Sequence, residues 1–223
     1  NSNFNSITQN EINASGESLI GILNRDVSTN NNLTFNNITA GAINSIGISL
    51  RDNPNDVKIE SNVIDVKTTY GIEIFSLNVP ANLTILNNTI KLEGGGNGIM
   101  VLGIPFPDNL NVHFNKIFAE NGWWGAVLDA NFLNITNNRF FGGTQGALHV
   151  DSPGIIFNNT LESPSRGFVS SGGQYNFTFN NITAPRGLHL FYSPGNFNYF
   201  ANNSINSTNE EIFIYGSGSA VFK

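Results

Sequence analysis

Apolar and polar residues recur along this chain in a six-residue pattern: an apolar residue, two variable residues, an asparagine, another variable residue and a second apolar residue. The pattern occurs nine times, from residues 7–12 to residues 200–205. The spacings between its asparagines are 26, 26, 26, 27, 23, 21, 21 and 23 residues. The asparagines are Asn10, Asn36, Asn62, Asn88, Asn115, Asn138, Asn159, Asn180 and Asn203. Units this short cannot bury their own apolar side chains, so the period predicts repeats that stack around one continuous core.

A second pattern follows most of these asparagines after seven to eleven residues. It is a short run that alternates apolar and variable residues, usually opened by a small residue such as Gly47, Gly98 or Ala147. The last run, residues 211–214, lacks the glycine. Alternation with a period of two is typical of β-strands. Each repeat is therefore predicted to contain short strands separated by corners that Asn and Gly mark.

These two patterns predict an all-β fold, a right-handed parallel β-helix (β-solenoid) of about nine rungs of 21–27 residues. Residues 50–57 and 102–109 are interpreted as turns within it, so residues 1–223 are expected to form a single domain. The repeated asparagine is expected to occupy left-handed backbone at a corner, because Asn tolerates that region. Its amide would hydrogen-bond to the asparagines of the layers above and below, forming an Asn ladder.

Composition agrees with this fold and excludes several others. The chain has 39 Asn among 223 residues, only 12% charged residues and no Cys. Asn, Gly, Ser and Thr are poor residues for helix interiors, which argues against a helical protein. Without Cys there is no disulfide framework and no thiolate metal site. The net charge of −6 argues against nucleic-acid binding, and no apolar stretch is long enough for a membrane span.

Eleven Asn-x-Ser/Thr sequons favour an extracellular or cell-surface location with N-glycosylation. A chain this rich in Asn and Thr also forms sequons by chance. The acceptors are Asn13, Asn32, Asn37, Asn82, Asn87, Asn134, Asn158, Asn176, Asn181, Asn202 and Asn206.

The repeats resemble those of the right-handed parallel β-helix family, which includes pectate-lyase-like enzymes, phage tailspikes and adhesin-like surface proteins of bacteria and archaea. Residues 35–37 (Phe-Asn-Asn) and 41–43 (Gly-Ala-Ile) are also similar to repeats of chlamydial polymorphic outer-membrane proteins. The resemblance covers essentially the whole chain and implies the β-helix fold, whereas the same scaffold hosts many activities. Family members usually carry a helix that caps the first rung; the first pattern begins at Ile7, so no helical cap is expected.

Candidate chemistry lies in the second pattern of two consecutive rungs. Asp129 follows Leu128 and Asp151 follows Val150 at equivalent positions, which would place them one strand spacing, about 4.8 Å, apart. That separation fits the carboxyl pair of a retaining glycosidase or two ligands of a calcium ion. The other interpretation is that each carboxylate only accepts hydrogen bonds at a corner. No other metal site and no cofactor are predicted.

Histidine and tryptophan side chains accompany this pair. His149 is expected on the outer face beside Asp151, and His189 is expected to face solvent on a later rung. Trp123 and Trp124 occupy the preceding corner, where they would stack on a sugar ring or cover the core. Phe and Tyr are concentrated after residue 175, and we expect some of them to be exposed as a contact surface.

The leading hypothesis is a non-enzymatic extracellular structural or adhesive β-solenoid that self-assembles into a filament, sheath or surface coat. Solenoid ends without caps expose unpaired strand edges, so the expected partners are copies of the chain, joined end to end or by strand exchange. The other interpretation of such ends is that the chain is one segment of a longer protein. The first alternative is a protein that binds or cleaves polysaccharide near Asp129 and Asp151. The second is a fragment of a spike or fibre that trimerises side by side.

Overall fold

The structure is a computed structural model that describes residues 5–16, 18–25, 27–76, 82–103, 106–192, 197–217 and 219–223. In these ranges the regular secondary structure consists of β-strands only, arranged in three parallel sheets. The predicted all-β parallel solenoid is thus confirmed. Within the same ranges, no helix is long and apolar enough to cross a membrane.

Among the residues that the structure describes, sheet A contains ten strands. In order across the sheet they are β1 (Ser6–Thr8), β5 (Asn32–Thr34), β8 (Val57–Glu60), β11 (Asn82–Leu86), β14 (Asn109–His113), β17 (Phe132–Thr136), β20 (Gly154–Phe157), β23 (Tyr175–Thr178), β26 (Phe197–Ala201) and β29 (Ser219–Phe222).

Sheet B contains nine strands. They are β2 (Glu11–Ala14), β6 (Asn37–Ala40), β9 (Val63–Val66), β12 (Thr89–Leu92), β15 (Lys116–Phe118), β18 (Arg139–Phe141), β21 (Thr160–Glu162), β24 (Asn181–Thr183) and β27 (Ser204–Asn206).

Sheet C completes each turn. Its strands are β3 (Ile20–Asn24), β7 (Ile46–Asn55), β10 (Thr69–Ser76), β13 (Gly96–Gly103), β16 (Trp124–Leu128), β19 (Gly146–Val150), β22 (Arg166–Ser170), β25 (Arg186–Tyr192) and β28 (Glu210–Gly216), with β4 (Val27–Thr29) paired to β7. The nine ladder asparagines are separated by eight steps, so the chain makes about eight turns. One cluster of buried apolar side chains runs through these turns from Ile22 to Phe200.

The predicted asparagine ladder is present at the corner between sheets A and B. From Asn10 to Asn180, each side-chain amide donates to Oδ1 of the next asparagine over 2.9–3.2 Å. The same Oδ1 accepts the backbone N–H of the preceding asparagine. From Asn36 onward, each amide also donates to the carbonyl of the apolar residue that opens the preceding repeat.

The ladder satisfies polar groups that water does not reach. Every ladder asparagine from Asn36 to Asn180 is at most 3% exposed. A buried amide without partners is costly, whereas here both the oxygen and the nitrogen are bonded. The ladder therefore fixes the position of each layer on its neighbour.

The expectation that the ladder asparagine itself is left-handed is wrong. The left-handed residue is the one before it, at φ values of 53–58° in all nine layers. These residues are Gln9, Phe35, Ser61, Asn87, Phe114, Asn137, Asn158, Phe179 and Asn202. The physical reason is that the left-handed residue turns the chain at the corner. The side chain of the residue after it, the ladder asparagine, then points between the layers.

The glycines of the second pattern let sheet B side chains approach the backbone of sheet C. A methyl group on Gly47 would lie 2.3 Å from Cγ2 of Ile64, and one on Gly98 would lie 2.2 Å from Cγ2 of Ile117. Neither distance is possible for real atoms, so any larger residue would force the layers apart. The glycine column is thus a packing requirement of the branched core residues.

The structure differs in part from the prediction that residues 50–57 and 102–109 form turns. Residues 50–55 continue strand β7, which is ten residues long and pairs with β4 along Asn53–Asn55. The interpretation of this segment as a turn is therefore wrong for most of its residues; Asp56 has a φ of 51°, and Asp52, within β7, has a φ of 76°. In the second segment, residues 102–103 end β13 and Asn109 begins β14, while residues 104–105 lie outside the described ranges.

Asn115→Ala is expected to lower the free energy of unfolding by about 3 kcal/mol or more, because it leaves several buried polar groups of Asn88 and Ile85 without partners. Asn10→Ala is the control. Asn10 is exposed, so we expect a loss within about 1 kcal/mol. Chemical denaturation measures both, and equal losses for the two variants would contradict a stabilising role for the ladder.

Candidate functional site

The outer face of sheet C holds the candidate residues that the sequence singled out, and it holds no sequon acceptor. We call it the C wall; strand register arranges its outward side chains in three columns. The first column is Tyr70, Asn97, Trp124, Arg166, Arg186 and Glu210. The second is Glu73, Met100, Val127, His149, Val169, His189 and Phe213, and the third is Phe75, Leu102, Asp129, Asp151, Ser171, Phe191 and Tyr215. Aromatic, acidic and basic side chains are thus interleaved on one face.

The predicted pair Asp129 and Asp151 is in contact. Leu128 and Val150 are register partners, and the N–H of Asp151 donates to Asp129 Oδ1 over 3.3 Å. His149 Nε2 lies 3.1 Å from Asp151 Oδ1, and the same oxygen accepts the N–H of Ser171. The structure therefore brings together the two carboxylates and the histidine that the sequence singled out.

The environment shifts the pKa values of these two carboxyls in opposite directions. Partial burial, and then repulsion by Asp151, raise the pKa of Asp129 above its ordinary value of 3.8. Partial burial opposes ionisation of Asp151 too, but the hydrogen bonds from His149 and Ser171 outweigh it, so its pKa is lowered. A proton is thus held preferentially by Asp129, an arrangement that suits an acid beside a carboxylate.

The two tryptophans occupy different surroundings. Trp124 is half-buried at the start of β16, and its ring stacks on His149 with ring centres 5.1 Å apart. It also lies across Gly146, where a Cβ would meet Trp124 Cζ3 at 2.4 Å. Glycine at position 146 therefore allows the indole to lie over the next strand. Trp123 is 52% exposed at the corner before β16.

A second cluster lies farther along the C wall. His189 Nε2 is 3.1 Å from Glu210 Oε2, and the imidazole stacks on Phe213 with ring centres 5.0 Å apart. Burial is the main cause that lowers the pKa of His189. His189 is only 6% exposed, so the expectation that it faces solvent is wrong; Phe213 on the adjacent strand covers its ring.

Two arginines lie beside this cluster. Arg166 and Arg186 are register partners on neighbouring strands. Arg186 Nε is 3.8 Å from Glu210 Oε2, while Arg166 Nε is buried and has no hydrogen-bond partner among the described residues. Arginine side chains of this kind bind carboxylate or hydroxyl oxygens of a ligand.

Glu73 is a functional candidate that sequence reasoning missed. It is 7% exposed and is held by Ser49 Oγ at 2.7 Å and by Arg51 Nη2 at 2.9 Å. The pairing depends on the unexpected length of β7, which carries Arg51 beside Glu73. The signal for Glu73 was its outward position in an alternating run, the same signal that found His149.

The eleven sequons avoid the C wall. Four acceptors lie in sheet B, four in sheet A, and Asn87, Asn158 and Asn202 are left-handed corner residues before the ladder. All eleven are exposed or half-exposed. Sheet B contains Asn13, Asn37, Asn181 and Asn206, and sheet A contains Asn32, Asn82, Asn134 and Asn176.

The aromatic residues after position 175 divide between core and surface. Phe177 and Phe200 are in the core at no more than 2% exposure. Phe179, Phe197 and Phe213 are exposed, as is Phe191. Two of the exposed rings, Phe191 and Phe213, extend the C wall, with centres 6.1 Å apart.

The C wall offers few side chains that could coordinate a metal ion. In the described part of the chain, no three His, Cys, Asp or Glu side chains converge to hold an ion. Asp129 and Asp151 supply two carboxylates, so calcium binding there stays a prediction. Chemically, the wall offers stacking surfaces, hydrogen-bonding carboxylates and arginines, and one acid–carboxylate pair.

Asp151→Asn is expected to lower the pKa of Asp129, because it removes the repulsion of the neighbouring carboxylate. Carbon-13 NMR of the carboxyl groups would record the titration. In the unaltered protein we expect Asp129 to titrate above 3.8 and Asp151 below it. The control is Asp65→Asn on sheet B, which should leave Asp129 unchanged. An unaltered Asp129 titration in Asp151→Asn would contradict the proposed coupling.

These shifts also set how each group affects stability. The lowered pKa of Asp151 stabilises the fold above its unfolded value, and that contribution is lost as the pH falls. The raised pKa of Asp129 has the opposite sign: its contribution is present at low pH and is lost as the pH rises through the folded-state value.

Comparisons with protein-family models, curated proteins and solved structures gave no match to this chain. The structure itself shows that the chain is a parallel β-solenoid. Membership of an adhesin-like or pectate-lyase-like family stays a prediction.

Proposed function

We propose that this protein is a non-enzymatic structural and adhesive β-solenoid of the cell surface or extracellular space, and that its C wall binds polysaccharide. The observation that carries the proposal is the position of the sequons relative to the C wall. Aromatic, acidic and basic side chains share the C wall, whereas every sequon lies on sheet A, sheet B or the corner between them.

The chemistry of the C wall suits a sugar chain. A polysaccharide presents apolar ring faces and a rim of hydroxyl groups. Trp124, stacked on His149, offers a flat surface for a ring face. Asp151 and Glu210 can accept hydroxyl hydrogen bonds, and the exposed guanidinium of Arg186 can donate them. Neighbouring layers are about 4.8 Å apart, so one extended chain would contact several of these groups.

The position of the sequons supports an exported protein with one open wall. Glycans on sheets A and B would cover those walls with bulky, soluble groups. The C wall would then be the surface left for contact with a partner.

The second candidate function is polysaccharide cleavage by Asp129 and Asp151. The opposite pKa shifts of the two carboxyls favour it, since they match an acid and a carboxylate in one site. The layer spacing is close to the separation of about 5 Å found in retaining glycosidases.

Trp124→Ala is expected to weaken polysaccharide binding about tenfold or more, because it removes the stacking surface. Binding would be measured on a panel of immobilised neutral and acidic polysaccharides. Phe157→Ala, an exposed aromatic on sheet A, is the control and should bind as the unaltered protein does. Absence of binding to the whole panel, or unchanged binding by Trp124→Ala, would contradict the proposal.

The length of the polysaccharide after incubation separates the two candidates. Adhesion leaves the length unchanged. Cleavage shortens the chain, and Asp129→Asn or Asp151→Asn would then abolish the shortening. Shortening of this kind would replace the non-enzymatic assignment with the second candidate.

Self-association completes the proposal. Strand β28 is exposed along its whole length, and Ile212 and Ile214 are 42% and 46% exposed. A layer from a second copy would bury these side chains and pair the free edge of the strand.

Light scattering of the 223-residue chain at high concentration tests this association. We expect particles larger than a monomer, and we expect Ile212→Lys to shift them toward monomer because it places a charge in the contact. A strictly monomeric unaltered chain would contradict self-assembly.

A further inference from the structure

Phenylalanine is an unexpected residue at the left-handed corner before the ladder asparagine. Four of the nine layers have Asn there, which adopts this backbone readily, and three have Phe. Phe35, Phe114 and Phe179 have φ values of 56–57° and are 59%, 56% and 53% exposed. A bulky residue in left-handed backbone is strained, and more than half of each of these side chains is exposed to water, although the ring of Phe179 also contacts that of Phe157, with centres 5.5 Å apart. Because the left-handed backbone and the exposed ring are both unfavourable, we expect another group to contact the ring.

A group attached to the residue two positions after the phenylalanine is the candidate for that contact. Phe35 is followed by Asn37 and Phe179 by Asn181, and both asparagines are sequon acceptors. Phe114 is followed instead by Lys116. The same corner therefore occurs with and without an acceptor in one chain.

The amides of Asn37 and Asn181 are available for modification. Both side chains are exposed, and neither makes a hydrogen bond to another described residue. Five other acceptor amides donate hydrogen bonds, namely those of Asn13, Asn82, Asn87, Asn134 and Asn158. Asn87 donates to Ser61, and Asn158 donates to Asn137. A free, exposed amide distinguishes these two sequons from those.

Corner geometry places the phenyl ring beside the amide. The ladder asparagine between them, Asn36 or Asn180, is buried, so the residues on either side of it both project outward. Residues two apart are separated by at most about 7 Å between Cα atoms. A pyranose ring on the amide nitrogen would thus reach the exposed phenyl face.

We propose that Asn37 and Asn181 carry N-linked glycans whose first sugar packs its apolar face on Phe35 and Phe179. In the transfer step, the amide nitrogen forms a bond to the anomeric carbon of a lipid-pyrophosphate-linked oligosaccharide. The bond from that carbon to the pyrophosphate oxygen breaks, the amide loses a proton, and the lipid pyrophosphate leaves. The inference rests on the proposed extracellular location and not on what the C wall binds.

The contact removes two apolar surfaces from water at once. The phenyl ring loses exposure, and so does the C–H face of the sugar. The glycan therefore stabilises the corner that the phenylalanine strains. At Phe114 no such contact forms, because Lys116 replaces the acceptor.

The test is a double-mutant cycle on protein secreted from a eukaryotic host. Thr39→Val removes the sequon of Asn37 without changing the asparagine. Phe35→Asn removes the ring and keeps a residue that suits left-handed backbone. Glycopeptide mass spectrometry reports occupancy, and thermal unfolding reports Tm for the unaltered chain, both single variants and the double variant.

We expect Asn37 and Asn181 to be occupied. Thr39→Val should lower Tm by about 2–4 °C when Phe35 is present and by clearly less in Phe35→Asn. The pair Thr183→Val and Phe179→Asn should behave in the same way. Phe114→Asn is the matched control, and its effect on Tm should be the same with and without Thr39→Val.

Two results would overturn the inference: unoccupied Asn37 and Asn181 in the secreted chain, or an equal loss of Tm on removing the sequon with and without Phe35. Neither result depends on polysaccharide binding, so failure here is distinguishable from failure of the C wall proposal.

Discussion

The hydrogen-bonded ladder of buried asparagines is the interaction on which the rest of this structure depends. From Asn36 to Asn180, each ladder amide is bonded to the asparagines of adjacent layers and to the backbone, at positions almost closed to water. A slip of one layer by one residue would leave these groups without partners, which is more costly than the loss of a surface bond. Because the ladder fixes the register, equivalent residues of sheets A, B and C are stacked in straight columns.

Stacked columns allow one wall to carry chemistry while the interior remains uniform. The core repeats branched apolar residues, and the glycine column lets them pack against sheet C. Outward residues are free to vary, and on the C wall they combine Trp124, His149, Asp151 and Arg166 within a few layers. The contact between Asp129 and Asp151 follows directly from this register, since neither residue is near the other in sequence. The recognition proposed for the C wall and the glycans proposed for the other walls would therefore both depend on this repeated register.

Much of the fold was predictable because the ladder uses the same residue type in every layer. The spacing of Asn10 to Asn203 gave the layers, and the alternating runs placed Asp129, Asp151 and His149 on one face. The left-handed residue was harder to find, since Gln, Ser, Asn and Phe all occupy that position. Burial of His189 depends on Phe213 of the adjacent strand, and the pairing of Glu73 with Arg51 depends on how far β7 extends. Contacts between variable positions of different layers leave no pattern in a single sequence.

Polysaccharide recognition by the C wall can be tested by mapping where a bound oligosaccharide touches the protein, using NMR chemical-shift changes over the whole chain. If the C wall is the recognition surface, the changes cluster around Trp124, His149, Asp151 and Arg166, with little change in sheets A and B. Changes concentrated on sheet A or sheet B would contradict recognition by the C wall, because those walls would then be the recognition surface.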